Sequence, residues 1–248
     1  MIDKQELLDL TQGFLRPPPE VALASAPPIM GEETMPAPIL ITGFEPFAGL
    51  AYNPSADVAA SLDGQEIGGR RVVARLLPVD FARYRAELAA LLAETAPALY
   101  IGFGLASGED MIRVERFGVN LADFDIADNA GAKHIGREIE PSGPAARAST
   151  LPCAEIRAAL LEAGIPARLS NSAGSYLCNA TLYSALGLCA MPCGFIHLPY
   201  ASEQVAELLR QGNGPLNGES LAPSLPIEMM VAAAEIALEV SAAALAGA

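Results

Sequence analysis

From Pro38 onward, short apolar runs rich in β-branched residues alternate with longer stretches of helical spacing, and this alternation limits the fold more than any other feature. Ile39 to Thr42 reads as a strand closed by Gly43, and a helix running through Val58 to Leu62 follows the Asn53-Pro54-Ser55 turn. Arg71 to Leu77 reads as a strand. Phe81 to Thr95 reads as a helix with Tyr84, Leu88, Leu91 and Leu92 on one face, and Ala98 to Phe103 as a buried strand. The segment from Gly104 to Pro144, rich in Gly, Asn and Asp, reads as functional loops with short strands. Ala154 to Ala163 is a helix stopped by Gly164, Pro166 to Ser170 a strand, Cys178 to Gly187 a helix and Gly194 to Leu198 a strand. Strand and helix in this order predict an α/β fold with a mostly parallel, twisted sheet and helices on both faces.

The two ends differ from this pattern. Residues 1–37 carry Pro17, Pro18, Pro19, Pro27, Pro28 and Pro36 among Ala-rich spacers, so they are expected to form a mobile extension ahead of one domain at residues 38–248. Met229 to Ala248 is long and apolar but contains Glu235 and Glu239 on one helical face. Met230, Ala233 and Ala237 lie opposite them, which predicts an amphipathic helix on a soluble domain and not a membrane span. The first residues carry Asp3, Glu6 and Asp9 where a secretory signal would have a basic patch, so a cytoplasmic location is expected.

Composition excludes some function classes. Fifteen Lys+Arg face 29 Asp+Glu, a formal net charge of −14 without basic clusters, which argues against a nucleic-acid partner. The four cysteines, Cys153, Cys178, Cys189 and Cys193, form no C-x-x-C pair, and two histidines do not complete a usual zinc pattern. No metal is therefore expected, and free thiols fit a reducing compartment.

The chemistry-bearing residues are few. His197 lies near the C-terminal end of the strand Phe195 to Leu198, where α/β sheets bind ligands; alone it reads equally as a hydrogen-bonded core histidine. His134 sits in a polar loop, where exposure is expected. Cys178 follows a loop and opens a helix, a position whose unpaired N–H groups favour a thiolate and can hold an oxyanion. Cys153, Cys189 and Cys193 are read as lacking that context and as small buried hydrophobes. Glu115, taken singly, is a surface acid paired with Arg113 or Arg116, although a carboxylate there could also orient a histidine. The glycines of Gly102-Phe103-Gly104 and Gly108 have the wrong spacing for a dinucleotide fingerprint, and Glu109-Asp110 would repel a pyrophosphate.

Read in order, four segments resemble the pyroglutamyl peptidase type I family. Thr42-Gly43-Phe44-Glu45-Pro46-Phe47 with Asn53-Pro54-Ser55 is similar to its T-G-F-x-P-F…N-P-S opening. Glu115-Arg116-Phe117-Gly118-Val119-Asn120 with Asp128-Asn129 is similar to E-R-x-A-x-N…D-N. Ala173-Gly174-Ser175-Tyr176-Leu177-Cys178-Asn179 resembles A-G-x-Y-L-C-N, and Gly194-Phe195-Ile196-His197-Leu198-Pro199 resembles G-F-I-H-x-P. The resemblance implies a single three-layer α/β/α domain and a cofactor-free thiol mechanism on peptides with an N-terminal pyroglutamyl group. Cys178 would be the nucleophile, His197 the acid–base and Glu115 its orienting carboxylate.

Phe44 and Phe47 would face the lactam ring, backbone groups near Leu105 and Leu177 would bond it, and Asn53 would orient a Phe-bearing loop. The resemblance leaves open whether the chain forms a homo-oligomer. Four positions depart from the family pattern: Ala48 for glycine, Glu109 and Asp125 for arginine, and Ala127 for proline. The two acidic replacements are expected to make the site more negative. A thiol amidase for another small acyl group and a non-catalytic pyroglutamyl binder are the competing readings.

Overall fold

The computed structural model describes residues 36–124, 126–212, 216–217 and 220–246. The expected extension therefore lies almost wholly outside the described residues, and so does Asp125. The elements that position the site are strands β1 (Ile39–Phe44), β2 (Glu66–Ile67), β3 (Arg70–Leu77), β4 (Leu99–Leu105) and β5 (Ile112–Glu115). They continue with β6 (Phe117–Val119), β7 (Ala122–Phe124), β8 (His134–Arg137), β9 (Ala146–Ala148), β10 (Ala167–Ser170) and β11 (Cys193–Leu198). The helices are α1 (Pro54–Leu62), α2 (Tyr84–Thr95), α3 (Cys153–Glu162), α4 (Leu177–Leu188), α5 (Ser202–Arg210) and α6 (Ile227–Ala246).

Seven strands form one sheet in the order β10-β5-β11-β4-β1-β3-β2. The β1–β3, β1–β4, β4–β11 and β5–β10 pairs are parallel, whereas β11 runs antiparallel to β5 and β2 to β3. Strand alternation sorts the core into two layers. Ile39 and Ile41 of β1 join Val58, Leu62, Ile156, Leu160, Met230 and Leu238 from α1, α3 and α6 on one face. Leu40 and Phe44 join Tyr84, Leu88, Leu182 and Tyr183 from α2 and α4 on the other. Each such fully buried apolar side chain contributes roughly 1.5–3 kcal/mol. This is the expected three-layer arrangement. Met230, Ala233 and Ala237 of α6 are buried, Glu239 is exposed and Glu235 half-buried, an amphipathic helix. Among the described residues no helix is long and apolar enough to cross a membrane.

Three expectations need correction. Helix α2 begins at Tyr84, because Phe81 to Arg83 form a turn whose amides bond Asp128 and Asp80. Ile112 to Glu115, in the region read as functional loops with short strands, is a strand set inside the main sheet. Its alternating charges suggested exposure, but Glu115 is fully buried and Arg113 nearly so. His134 is half-buried between the rings of Phe81 (4.4 Å) and Phe124 (5.3 Å), not solvated in a loop.

Candidate active site

The site is assembled by sheet register. Across the antiparallel β5–β11 pair, His197 lies opposite Arg113 and Phe195 opposite Glu115. Residues two apart on a strand share a face, so Glu115 reaches His197 diagonally. His197 Nδ1 bonds Glu115 Oε1 at 2.8 Å, both groups being buried. That bond assigns the ring proton to Nδ1 and leaves Nε2 as the free nitrogen. Glu115 is thus not the surface acid of the single-residue reading; its neighbour Arg113 does pair with it, Nη2 lying 3.1 Å from Oε1.

On the other side of β11, His197 pairs with Gly104 of β4. A Cβ at Gly104 would stand 2.8 Å from Cys178 Sγ, and one at Gly102 would stand 2.6 Å from the Phe195 ring. The two glycines are clearance for the thiol and for the aromatic beside it, which explains their spacing without any dinucleotide. Cys178 is the second residue of α4, after Leu177, and borders the same cavity as His197. Burial opposes a charge on His197, but the charge on Cys178 and the bond to Glu115 outweigh it and raise the ring to about 9. The first N–H groups of α4 lack intrahelical partners and point toward the thiol's end of the helix. Asn179 anchors this end: its side chain bonds Val119 N (2.8 Å), Val119 O (3.0 Å) and Leu121 O (2.9 Å).

Cys178 and His197 line an open cavity of about 360 Å³ with Phe44, Phe47, Leu105 and Leu177. Asn53 also borders it and performs three local tasks. It caps α1 through Ser55 N (3.2 Å), accepts the Ser55 hydroxyl (2.9 Å) and donates to Glu45 O (3.0 Å). Pro54 at the first helical turn lacks the N–H that would otherwise need a partner there. Ser55 Oγ in turn accepts from Phe44 N at 3.1 Å, so the Asn-Pro-Ser turn holds the backbone of Phe44 and Glu45 against the helix. Asn129 adds a second tie to this loop, donating to Pro46 O at 3.0 Å, while Asp128 is buried and accepts from Phe81, Ala130 and Ala132.

All eight residues expected at the site border this one cavity or, for Glu115, the histidine in its wall. Sequence reasoning missed Tyr176, whose ring lies 5.8 Å from Phe47, and Phe124, 4.7 Å from Tyr176. An aromatic residue just before the cysteine was visible as a signal, but nothing local paired it with Phe47. Two further expectations are overturned. Glu109 does not leave a bare negative charge, because it pairs with Arg113 at 2.9 Å and Arg168 at 2.8 Å. Partial burial pushes its carboxyl up, and the two guanidinium groups bring it below its usual range. Cys153 does occupy a helix start, as the first residue of α3, contrary to the reading that Cys178 alone does.

A buried imidazole–carboxylate pair beside a helix-borne thiol, toward the C-terminal ends of inner strands of an α/β sheet, defines the class: a thiol hydrolase site. The pyroglutamyl peptidase family model matches residues 37–244, and the chain belongs to that family. It is 42% identical over 208 residues to a pyrrolidone-carboxylate peptidase of Pyrococcus furiosus, covering 82% of this chain and 97% of the relative. It is 43% identical over 208 residues to one of Deinococcus radiodurans, with 81% and 92% covered. A solved structure of a mutant pyrrolidone carboxyl peptidase from P. furiosus superimposes with a TM-score of 0.78 at 40% identity, covering 84% of this chain and 99% of that one.

Proposed function

We propose that the chain hydrolyses the amide bond after an N-terminal pyroglutamyl residue, with Cys178 as nucleophile, His197 as acid–base and Glu115 holding the imidazole. The observation that carries the assignment is the seating of the Cys178 thiol over Gly104 beside a histidine already bonded to a buried carboxylate. His197 takes the thiol proton, and the sulfur attacks the pyroglutamyl carbonyl. N–H groups at the start of α4 stabilise the resulting oxyanion. The imidazolium then protonates the leaving amine as the C–N bond breaks, giving a thioester and free peptide. Water, deprotonated by His197, attacks the thioester; pyroglutamate leaves and the thiol is restored.

The lactam has no charge, and the cavity offers it apolar walls. Phe44 and Phe47 contact the ring, and backbone groups at Leu105 and Leu177 bond its N–H and C=O. Asn53 acts through the loop it ties. The steps use the chain's own side chains and backbone together with water, and the acidic balance suits peptide partners more than nucleic acid. Four free cysteines support a reducing, cytoplasmic setting.

The test is hydrolysis of a pyroglutamyl fluorogenic amide alongside prolyl and glutamyl amides. Turnover confined to the pyroglutamyl substrate, with burst-phase acylation, is the expected result. Preference for another acyl group, or binding without a burst, overturns the proposal. His197→Ala lowers the rate at least about 10²-fold. His134→Ala leaves it within about threefold, since its ring packs on Phe81 and Phe124 and does not border the cavity.

A further inference from the structure

We propose that Arg113 is a positioning residue for this reaction: it shares one oxygen of Glu115 with His197, fixing the ring's orientation and tempering the carboxylate's pull on it. The inference rests on the roles assigned above to Cys178, His197 and Glu115.

The sheet registers place Arg168, Arg113, His197 and Gly104 in a single row across β10, β5, β11 and β4, ending under the Cys178 thiol. Like charges directly opposite each other on a sheet repel. Here two carboxylates interleave them. Glu109 bridges Arg168 (2.8 Å) and Arg113 (2.9 Å), and Glu115 bridges Arg113 (3.1 Å) and His197 (2.8 Å). Both groups approach Glu115 at Oε1. The guanidinium is itself pinned, donating to Ser170 Oγ at 2.8 Å and to the Ser172 carbonyl. A cation held this rigidly, with 15% of its side chain exposed, limits how the carboxylate can rotate. It also withdraws charge from the oxygen that supports the imidazolium.

The groups facing His197 are Cys178 from α4 and Arg113 and Glu115 from β5. Glu109 and Arg168 act on it through Arg113, Asp123 borders the cavity from β7, and Tyr100 of β4 bonds Thr42. Removing the Arg113 charge leaves Glu115 acting on His197 alone, so the ring keeps its proton to higher pH. Removing the Glu109 charge has the opposite sign, because Arg113 is then shared with one carboxylate fewer.

The experiment is a pH–rate profile of pyroglutamyl amide hydrolysis for wild type, Arg113→Gln, Arg113→Lys, Glu109→Gln and Cys178→Ala. Arg113→Gln is expected to lower kcat about tenfold or more with KM within about threefold, and to move the alkaline limb up. Arg113→Lys restores much of kcat as a point charge at the same place. Glu109→Gln moves the limb down. Alkaline limbs that coincide in Arg113→Gln and Glu109→Gln, or a change in KM alone, overturn the proposal. If Arg113→Gln does not fold, the direction of the Glu109→Gln shift and the Arg113→Lys profile decide it. An active Cys178→Ala defeats the underlying reading instead; an inactive one beside Arg113 variants indistinguishable from wild type defeats only this inference.

Discussion

Among the described residues two helices carry a cysteine in their first turn near the sheet, and only one of these two thiols stands beside a histidine. Cys153 heads α3 and packs on the face shared with α1 and α6; Cys178 sits in the first turn of α4 on the opposite face. The Cys153 thiol finds the Glu115 carbonyl (3.8 Å) and Ser149 Oγ (3.6 Å), and burial pushes its pKa up. Cys178 has a glycine floor and shares its cavity with His197. The same tertiary residue, Glu115, touches both: its backbone faces one thiol and its side chain orients the other's base. A helix start alone therefore does not make a nucleophile; the partner across the sheet does.

The largest effect expected from this contrast is on turnover. Cys178→Ala lowers hydrolysis at least about 10³-fold, whereas Cys153→Ala leaves it within about twofold. Alkylation at neutral pH followed by mass spectrometry should find Cys178 modified first. Preferential labelling of Cys153 would show that the helix start outweighs the histidine.

The glycine floor can be attacked directly. Gly104→Ala places a methyl 2.8 Å from the Cys178 sulfur and 2.8 Å from the Phe195 ring, and is expected to lower kcat by about 10–10²-fold. Gly102→Ala meets the same Phe195 ring at 2.6 Å without the thiol among its nearest neighbours, so its main effect falls on melting temperature. Measuring kcat and melting temperature for both variants separates seat from packing. Equal kcat losses would mean that Gly104 matters only as core.

A smaller effect concerns pH. His197 is raised to about 9, above its value in the unfolded chain, so its charged form stabilises the fold. That contribution is complete below about pH 6.5 and fades as pH rises through about 9. Hydrolysis should lose its general acid over the same upper range. Denaturant titrations at pH 7 and pH 9.5 should show lower stability at the higher pH, with a smaller difference in His197→Gln. An equal difference in both proteins would place the pH dependence elsewhere.

Much of this was legible before the structure, and the misses share a cause. The strands β1, β3, β4 and β11 and the helix α4 announce themselves by local apolar periodicity, and the Cys, His and Glu by their motifs. Strand β5 did not, because its alternating Arg113 and Glu115 look solvated until each is seen to neutralise the other inside the sheet. Glu109 was misjudged for the same reason: its two arginines lie in β5 and β10, and only register brings them together. Cys153 was misread because Pro152 and the Leu151 turn before it gave no side-chain cap to mark a helix start. Pairing across strands is information that local pattern does not contain.

The smallest effect tests whether backbone strain beside the Cys178 cavity reaches the site. The loop beside the Cys178 cavity holds Ala48 at φ 54°, in the left-handed region, at the position where the family pattern has glycine. An L-residue there costs about 1–2 kcal/mol relative to glycine. Part of that gain is lost on substitution, since glycine adds about 0.4–1 kcal/mol of chain entropy to the unfolded state. The net expectation for Ala48→Gly is a stabilisation of about 0.5–1 kcal/mol. Ala96, at φ 41° after α2, offers a control with the same backbone hand and no border on the site's cavity. Ala96→Gly should give a similar rise in stability with KM unchanged. Ala48→Gly should give that rise together with a change in KM of up to about threefold, because Phe47 precedes it and borders the cavity. Chemical denaturation and steady-state kinetics of the two variants check this. Identical KM values in both would mean that the strain at Ala48 is local to the turn and does not reach Phe47.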